Sequence, residues 1–383
     1  MARLRKLGFD GRITLFGAEP TPPYQRPPLS KKYLLGEIDT ARLLLRPASF
    51  YAENAIDLCL STTVEAIRPA DKVLVADGKE VAFDQLALTT GANPRRLPNA
   101  IGGALDGVYT VRNLQDVDAM APELQPGRRL LIIGGGYIGL EAAAVAASRG
   151  LDVTLVEMAE RILQRVACAE TAAYFRSLHR AHGVDLREGV GLQRLLGEGR
   201  VSGAELTDGS RLGVDFAIVG VGITPAVGLA EQAGLDIDNG IRTDALGQTS
   251  HAGIWAAGDC ASFPYRNGRL RLESVPNAID QAEAVAANML GAAAPYVARP
   301  WFWSDQYDIK LQIAGLNSGY QQVVQRQSDK GTSFWYYRGE ELLAVDAMND
   351  PRAYMIAKRL IEAGKSPAAG QIADPGCDLK SLL

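Results

Sequence analysis

The stretch Leu130 to Glu157, LLIIGGGYIGLEAAAVAASRGLDVTLVE, constrains this chain more than any other, because it spells out a whole βαβ unit in the middle of the sequence. An apolar strand, Leu130 to Ile133, runs into Gly134, Gly136 and Gly139; a helix follows to Arg149, Gly150 ends it, and a second strand closes on Glu157. Gly134 permits the tight turn, Gly136 lets the backbone approach a pyrophosphate, and Gly139 lets helix and strand pack closely. The helix N-terminus offers free N–H groups and a positive dipole end to phosphates. A glycine pattern alone is weak, but a strand before it, a helix after it and an acid about 20 residues on make it a dinucleotide site. A carboxylate at Glu157 hydrogen-bonds a ribose 2′-hydroxyl and repels a 2′-phosphate, which favours NADH over NADPH. Arg161 and Arg165 lie just beyond; they either soften that preference, sit on the pyrophosphate side or are solvated surface charges.

This unit does not open the first domain, so another precedes it. A chain of 383 residues suggests two or three domains. A formal net charge of −4 with no basic block argues against a nucleic-acid partner. With no apolar run of about 18 residues and no signal peptide, the chain reads as soluble and cytoplasmic, with no membrane partner. The four cysteines, Cys59, Cys168, Cys260 and Cys377, lack the spacing of a redox pair or a metal site and read as reduced thiols. Among three histidines, His179 and His182 fall near one another on a helix, but without a third ligand nearby no metal is expected.

Before the βαβ unit the sequence suggests a helix end (Ala2 to Leu7), a turn, a strand (Arg12 to Phe16), a Pro-rich segment, and strands at Lys72 to Ala76 and Gln85 to Thr89. In TTGANPRRLP, Gly91 and Ala92 let the backbone pass close to a ligand where the chain crosses between domains. A strand over Asp215 to Pro225 carries Gly220 and Gly222, again near a ligand. A strand at Gly253 to Ala257 leads into Gly258 and Asp259, and Ser274 to Leu290 has helical spacing. From about Pro295 an aromatic-rich segment suggests a small α+β domain.

The motifs PYQRPPLSK, TTGANPR, VRNL, GGGYIGLE, VGVGITP, AAGDC, ESVPNA and PWFWSDQ follow one another in the order found in FAD-dependent ferredoxin reductases, and the chain resembles that family over nearly its whole length. The resemblance implies an α/β protein with two Rossmann-like domains and a C-terminal α+β domain. The FAD domain would be residues 1–112 and 225–295, the NAD domain 113–224 and the C-terminal domain 296–383. It implies FAD and NADH as cofactors, and electron transfer to a small iron-sulfur ferredoxin that serves a cytochrome P450 or a ring-hydroxylating dioxygenase. A monomer or weak dimer is expected.

By motif, Lys31 would lie near the isoalloxazine, Val64 near the adenine, Arg112 against the cofactor, Asp259 on its ribityl-pyrophosphate side, Val275 at the flavin edge and Trp303 as a shielding aromatic. Glu141 would approach the nicotinamide, and with Lys31 would be the catalytic pair. Arg26, Thr90, Gly91 and Gly258 join the flavin set; Tyr137, Ile138, Arg165, Gly220 and Gly222 join Gly134, Gly136, Gly139 and Glu157 around the nucleotide. Where relatives with thiol chemistry place a cysteine, this chain reads PPLSK, so electrons would leave the flavin directly. Arg352, Lys358 and Arg359 are candidates for a basic ferredoxin-docking patch.

The resemblance also implies a strand, a first glycine-rich turn and most of a helix ahead of ARLRKLGFDG, about 20 residues, so weak FAD binding is expected of this chain. Glu19 takes the place of the acid for the FAD ribose, with Ala18 where aspartate is common and Ala226 where asparagine is common. The alternatives are a flavin-deficient NADH-binding module, or a reductase for rubredoxin, oxygen or a quinone.

Overall fold

The computed structural model describes residues 1–383. It divides into two compact units, one of residues 1–25, 39–93 and 224–300, the other of residues 26–38, 94–223 and 301–383. No helix is long and apolar enough to cross a membrane.

The second unit holds the nucleotide fold. Its strands are β1 (Val108–Tyr109), β2 (Arg129–Ile133), β3 (Asp152–Glu157), β4 (Asp185–Glu188) and β5 (Phe216–Val219), all parallel in the order β4-β3-β2-β5-β1. Leu130 to Ile133 and the whole of β5 are buried, the continuous apolar reading of a parallel sheet covered on both faces. Helix α1 (Tyr137–Ser148) crosses from β2 to β3, and α2 (Ala169–Ala181) from β3 to β4. The chain therefore leaves β2 toward β3 on one side while β5 lies on the other, which makes the carboxyl end of β2 the switch point where such sheets bind ligands. The strand read as Asp215 to Pro225 is two strands, Phe216–Val219 and Ile223–Pro225. Gly222, with φ +100°, lies in the turn between them.

The same unit carries an antiparallel sheet in the order β6-β7-β10-β9-β8, from β6 (Trp301–Gln306), β7 (Ile309–Gly315), β8 (Gln322–Gln327), β9 (Thr332–Arg338) and β10 (Glu341–Met348). Helix α3 (Pro351–Glu362) packs Tyr354, Ile356, Ala357 and Leu360 into a core with Trp335, Tyr337 and Val345. Its start is fixed by Asp350, whose carboxylate accepts the Ala353 N–H at 3.0 Å, and by Pro351 in the first turn. Arg326 clamps the chain end by donating to the carbonyls of Ile372, Asp374, Pro375 and Cys377.

A buried polar knot ties α2 to this sheet. Asp346 accepts the hydroxyl of Thr171 at 2.7 Å and that of Tyr336, whose oxygen in turn accepts the Cys168 N–H at 2.9 Å. Burial pushes the Asp346 carboxyl from 3.8 up to about 6, against the two hydroxyl donors that pull it down. Between those values the folded protein holds a proton that the unfolded chain has released, so stability falls as pH rises through the window and stays at the lower level above it. Asp346→Asn keeps an oxygen to accept both hydroxyls and removes the charge. Thermal unfolding of this variant is expected to begin a few degrees above the parent at about pH 8, with the gap closing near pH 4. A gap of equal size at both ends would show that the carboxyl does not titrate in the fold.

In the first unit, strand Ile13–Phe16 pairs in parallel with Ile56–Cys59, and Leu86–Leu88 with Ile254–Ala256; the two pairs are not hydrogen-bonded to each other. A three-stranded antiparallel sheet, Val64–Arg68, Val73–Ala76 and Lys79–Ala82, shares a core of Ile67, Leu74, Leu88, Ile241 and Ile254. Helix Val275–Met289 begins at Ser274, whose hydroxyl accepts the Asn277 N–H.

Candidate active site and nucleotide cradle

At the carboxyl end of β2, two of the three glycines sit where a side chain would not fit. Gly134 has φ +108°, and a Cβ there would lie less than 3 Å from the Gly220 carbonyl. At Gly139 a Cβ would collide with the Gly134 carbonyl oxygen. Gly136 differs: it caps α1 with extended backbone and no side-chain cap, and a Cβ there would meet nothing within 4 Å. The first N–H groups of α1 therefore face open space, a cradle for an anion.

Glu157 is held rigidly. Its carboxylate accepts the Gly135 N–H at 2.6 Å and the Ala159 N–H at 2.8 Å, one on each oxygen, and each oxygen keeps a further lone pair for a hydroxyl donor. Beside it Met158 is 79 % exposed, and Ile138 and Val221 also present apolar surface at the strand ends. The guanidinium of Arg165 and the side chain of Arg95 flank Gly222. Arg161 donates to the Ala167 and Cys168 carbonyls at 2.9 and 3.2 Å and shapes the loop after β3.

One turn into α1, Glu141 is 2 % exposed and gathers three partners from distant parts of the chain. Lys31 lies 2.7 Å from one carboxylate oxygen, the Ser30 hydroxyl donates to the same oxygen at 2.6 Å, and the Ser304 hydroxyl to the other at 2.7 Å. A buried carboxylate so paired and hydrogen-bonded meets the condition under which buried charge is tolerated. Ser30 and Ser304 sit inside the quoted motifs PPLSK and PWFWSDQ, the only sequence signal that points to them. Tyr137 stacks its ring 4.8 Å from Phe302, and its buried hydroxyl has no hydrogen-bond partner. Trp303 faces with Trp301, ring centroids 5.6 Å apart, on the side of β6 opposite Ser304. Arg26 donates to the Arg112 carbonyl at 2.8 Å, and the Arg112 N–H donates to Asp116, so these two residues brace the start of the helix at Leu114.

Within the first unit, Glu19 accepts the Tyr24 hydroxyl at 2.5 Å, and the Thr90 hydroxyl donates to the Ala226 carbonyl at 2.6 Å. Gly91 and Gly258 have φ +71° and +82°. The Gly258 N–H donates to the Gln281 side-chain oxygen at 2.8 Å, and the Asp259 carbonyl accepts from Arg271. Val275 and Ile279 are exposed on the first turns of their helix, and Val64 is half-buried against the core.

The docking candidates are mostly neutralised. Arg352 pairs with Asp378, and Lys358 lies 3.3 Å from Glu362 and over the Trp301 ring; Arg359 is exposed. His179 is fully buried and His182 exposed, and no group of His, Cys, Asp and Glu could hold a metal.

Residues 1–282 match the family described as pyridine nucleotide-disulphide oxidoreductase, and residues 301–383 match the reductase C-terminal domain. A "Ferredoxin--NAD(P)(+) reductase fdr" of Sphingomonas sp is 44 % identical over 99 % of this chain and 93 % of its own length. The ferredoxin--NAD(+) reductase component of a p-cumate 2,3-dioxygenase system in Pseudomonas putida is 37 % identical over 98 % of this chain and 93 % of its own. The reductase in a covalent putidaredoxin reductase-putidaredoxin complex superposes with a TM-score of 0.96 at 38 % identity, covering 100 % of this chain and 94 % of that one. The chain belongs to the ferredoxin reductase branch of this family.

Ferredoxin reductases of this branch use FAD and NAD(P)H, and the residues of each unit fit them. In the second unit, the space in front of Gly136 is what a pyrophosphate requires, and Met158, Ile138 and Val221 offer apolar surface to planar rings. In the first unit, the buried Gln281 side-chain nitrogen has no partner, next to the turn at Gly258, and Val275 and Ile279 offer apolar surface. The thiols do not fit disulfide chemistry. Cys168 and Cys260 are buried, burial pushes both thiols up, and all four cysteines are unpaired. Ser30, in the PPLSK segment, hydrogen-bonds Glu141.

Proposed function

We propose that this ferredoxin reductase oxidises NADH and delivers the electrons to a small iron-sulfur ferredoxin serving a cytochrome P450 or a ring-hydroxylating dioxygenase. Bound FAD supplies the redox chemistry, accepting a hydride and releasing two single electrons and a proton. The observation that carries this reading is the buried Lys31–Glu141 pair one turn into the helix that cradles the nucleotide, in a chain without a redox-active thiol.

Gly134, Gly136 and Gly139, with the α1 N–H groups, bind the coenzyme pyrophosphate, and Arg165 adds charge on that side. Glu157 accepts from the adenosine ribose and disfavours a 2′-phosphate, so NADH is preferred. Lys31 holds positive charge beside the flavin, where it favours developing anionic character. Glu141 orients the nicotinamide from its fixed position. Glu19, Val64, Thr90, Gly91, Arg112, Gly258, Asp259 and Val275 line the FAD site, with Trp303 as its aromatic cover. The domains are residues 1–112 and 225–295 for FAD, 113–224 for NAD and 296–383 at the C-terminus, and the protein acts in the cytoplasm.

The test is the visible spectrum of the purified, FAD-supplemented protein, followed by NADH under anaerobic conditions and then an oxidised [2Fe–2S] ferredoxin. Flavin bands that bleach with NADH and recover as the ferredoxin is reduced are expected. NADH binding with no flavin uptake would leave only a coenzyme-binding module, and recovery with rubredoxin alone would move the acceptor.

A further inference from the structure

Glu141 stands at the end of a line of hydrogen bonds that the reaction as described does not use. The Tyr307 hydroxyl lies 3.3 Å from His179 Nδ1; His179 Nε2 lies 2.8 Å from the Gln306 oxygen; the Gln306 nitrogen lies 3.2 Å from Ser304 Oγ; and Ser304 Oγ lies 2.7 Å from Glu141 Oε1. Ser304, Gln306 and His179 have no exposed surface. The outer end reaches solvent, where Tyr307 stacks on the exposed His182 ring at 3.6 Å with an interplanar angle of 13°.

The direction of every bond is fixed from one end. A carboxylate only accepts, so Ser304 donates to Glu141 and must itself accept from Gln306. The Gln306 amide then turns its oxygen to His179, which has to donate from Nε2 and keep Nδ1 bare for the Tyr307 hydroxyl. Burial, with the charge of His182 adding to it, lowers the His179 pKa to about 4 although the Gln306 bond opposes this, so the ring is neutral and one tautomer is specified.

The backbone supports the same arrangement. Gln306 and Ile309 are paired across a two-residue hairpin, and Tyr307 takes its first position with φ +54°, a conformation that suits glycine and is uncommon for a tyrosine. Keeping tyrosine there places its ring on His182 and its hydroxyl on His179.

We propose that Ser304, Gln306, His179 and Tyr307 are positioning residues: a one-way hydrogen-bond chain that holds the Glu141 carboxylate in its orientation against Lys31. The proposal rests on the reading of Glu141 as the residue that orients the nicotinamide. Ser30 and Lys31 donate to one oxygen of Glu141 and the chain donates to the other, so the plane of the carboxylate is set from both sides.

The chain has a signature that mere packing would lack. In Glu141→Gln, Lys31 and Ser30 still need an acceptor, so the new amide must point its oxygen at them and its nitrogen at Ser304. Ser304 then donates to Gln306, Gln306 turns over, and the His179 proton moves from Nε2 to Nδ1. Long-range proton–nitrogen NMR correlations on FAD-loaded full-length protein labelled at its three histidines read this directly at neutral pH. The expected results are an Nε2–H tautomer for His179 in the parent, an Nδ1–H tautomer in Glu141→Gln, and no such switch when Ser304→Ala is added. Anaerobic stopped-flow reduction by NADH is expected to slow about 10-fold in Ser304→Ala, within the up to ~100-fold that an ångström of misplacement can cost. NADH affinity should be unchanged, and Ser304→Thr should restore the rate.

An Nδ1–H tautomer in the parent, or a His179 indifferent to Glu141→Gln, overturns the chain. If the tautomers behave as expected but Ser304→Ala reduces at the parent rate, the positioning role is overturned. Absence of NADH reduction in the parent itself would instead remove the proposed function, and the tautomer measurement would still judge the chain.

Discussion

Glu141→Ala is expected to lose about 3 kcal/mol of stability, the low end of what removing one partner of a buried ion pair costs, and to reduce the flavin with NADH about 100-fold more slowly. The alanine strands the Lys31 ammonium, whose side chain keeps only 15 % exposure, and leaves the Ser30 and Ser304 hydroxyls without their acceptor. The residual exposure of Lys31 allows it partial hydration, which is why the lower figure applies. Urea unfolding should show a lower midpoint at constant slope. The double replacement Lys31→Met with Glu141→Leu separates the two losses. A buried pair exchanged for apolar side chains of similar size is often neutral or better, so the part of the loss due to the stranded ammonium should be recovered, the Ser30 and Ser304 hydroxyls still lacking their acceptor, while reduction by NADH stays slow. Return of the rate along with the stability would mean that the pair serves only the fold.

The glycines of the nucleotide cradle provide the second large effect, because Gly139 and Gly136 should fail in opposite ways. A Cβ at Gly139 collides with the Gly134 carbonyl oxygen, and backbone stands on both sides of that contact. Gly139→Ala therefore has to push α1 off β2, an overpacking error costing about 1–3 kcal/mol, and the displaced helix end should lose NADH. A Cβ at Gly136 meets nothing within 4 Å and the residue has φ −81°, ordinary for any amino acid. Gly136→Ala should unfold within about 0.5 kcal/mol of the parent and still bind NADH at least tenfold more weakly, a difference of about 1.4 kcal/mol. Thermal unfolding and a fluorescence titration with NADH read both variants. Parent-like affinity in Gly136→Ala would place the phosphates somewhere other than the N-terminus of α1.

Much of this site was legible because its constraints are local. The turn after β2 excludes a side chain at Gly134 and at Gly139, and Glu157 reaches the Gly135 N–H from the end of the next strand; both facts lie within one βαβ unit. The same locality let the strand ends at Leu86 to Leu88 and Ile254 to Ala256 and the helix Val275–Met289 be read to within a residue or two. Side-chain partners brought together by folding were not legible in the same way. The guanidinium of Arg161 gathers carbonyls of the loop that follows it. Arg352 pairs with Asp378, 26 residues on. His179 is sealed in the core, while His182 stacks on Tyr307.

Sequence alone determined the nucleotide-binding unit, the family and the absence of a redox cysteine pair, since each depends on residue type and spacing within a short segment. The tertiary structure alone decided what Glu141 does. Its partners Ser30 and Ser304 lie 111 and 163 residues away, and no pattern in a chain records which distant hydroxyls will converge on a carboxylate. Burial made that convergence necessary: a charge removed from water must find donors in the fold. The segment around Ser30, helix α1 and strand β6 supply them only after they have packed together.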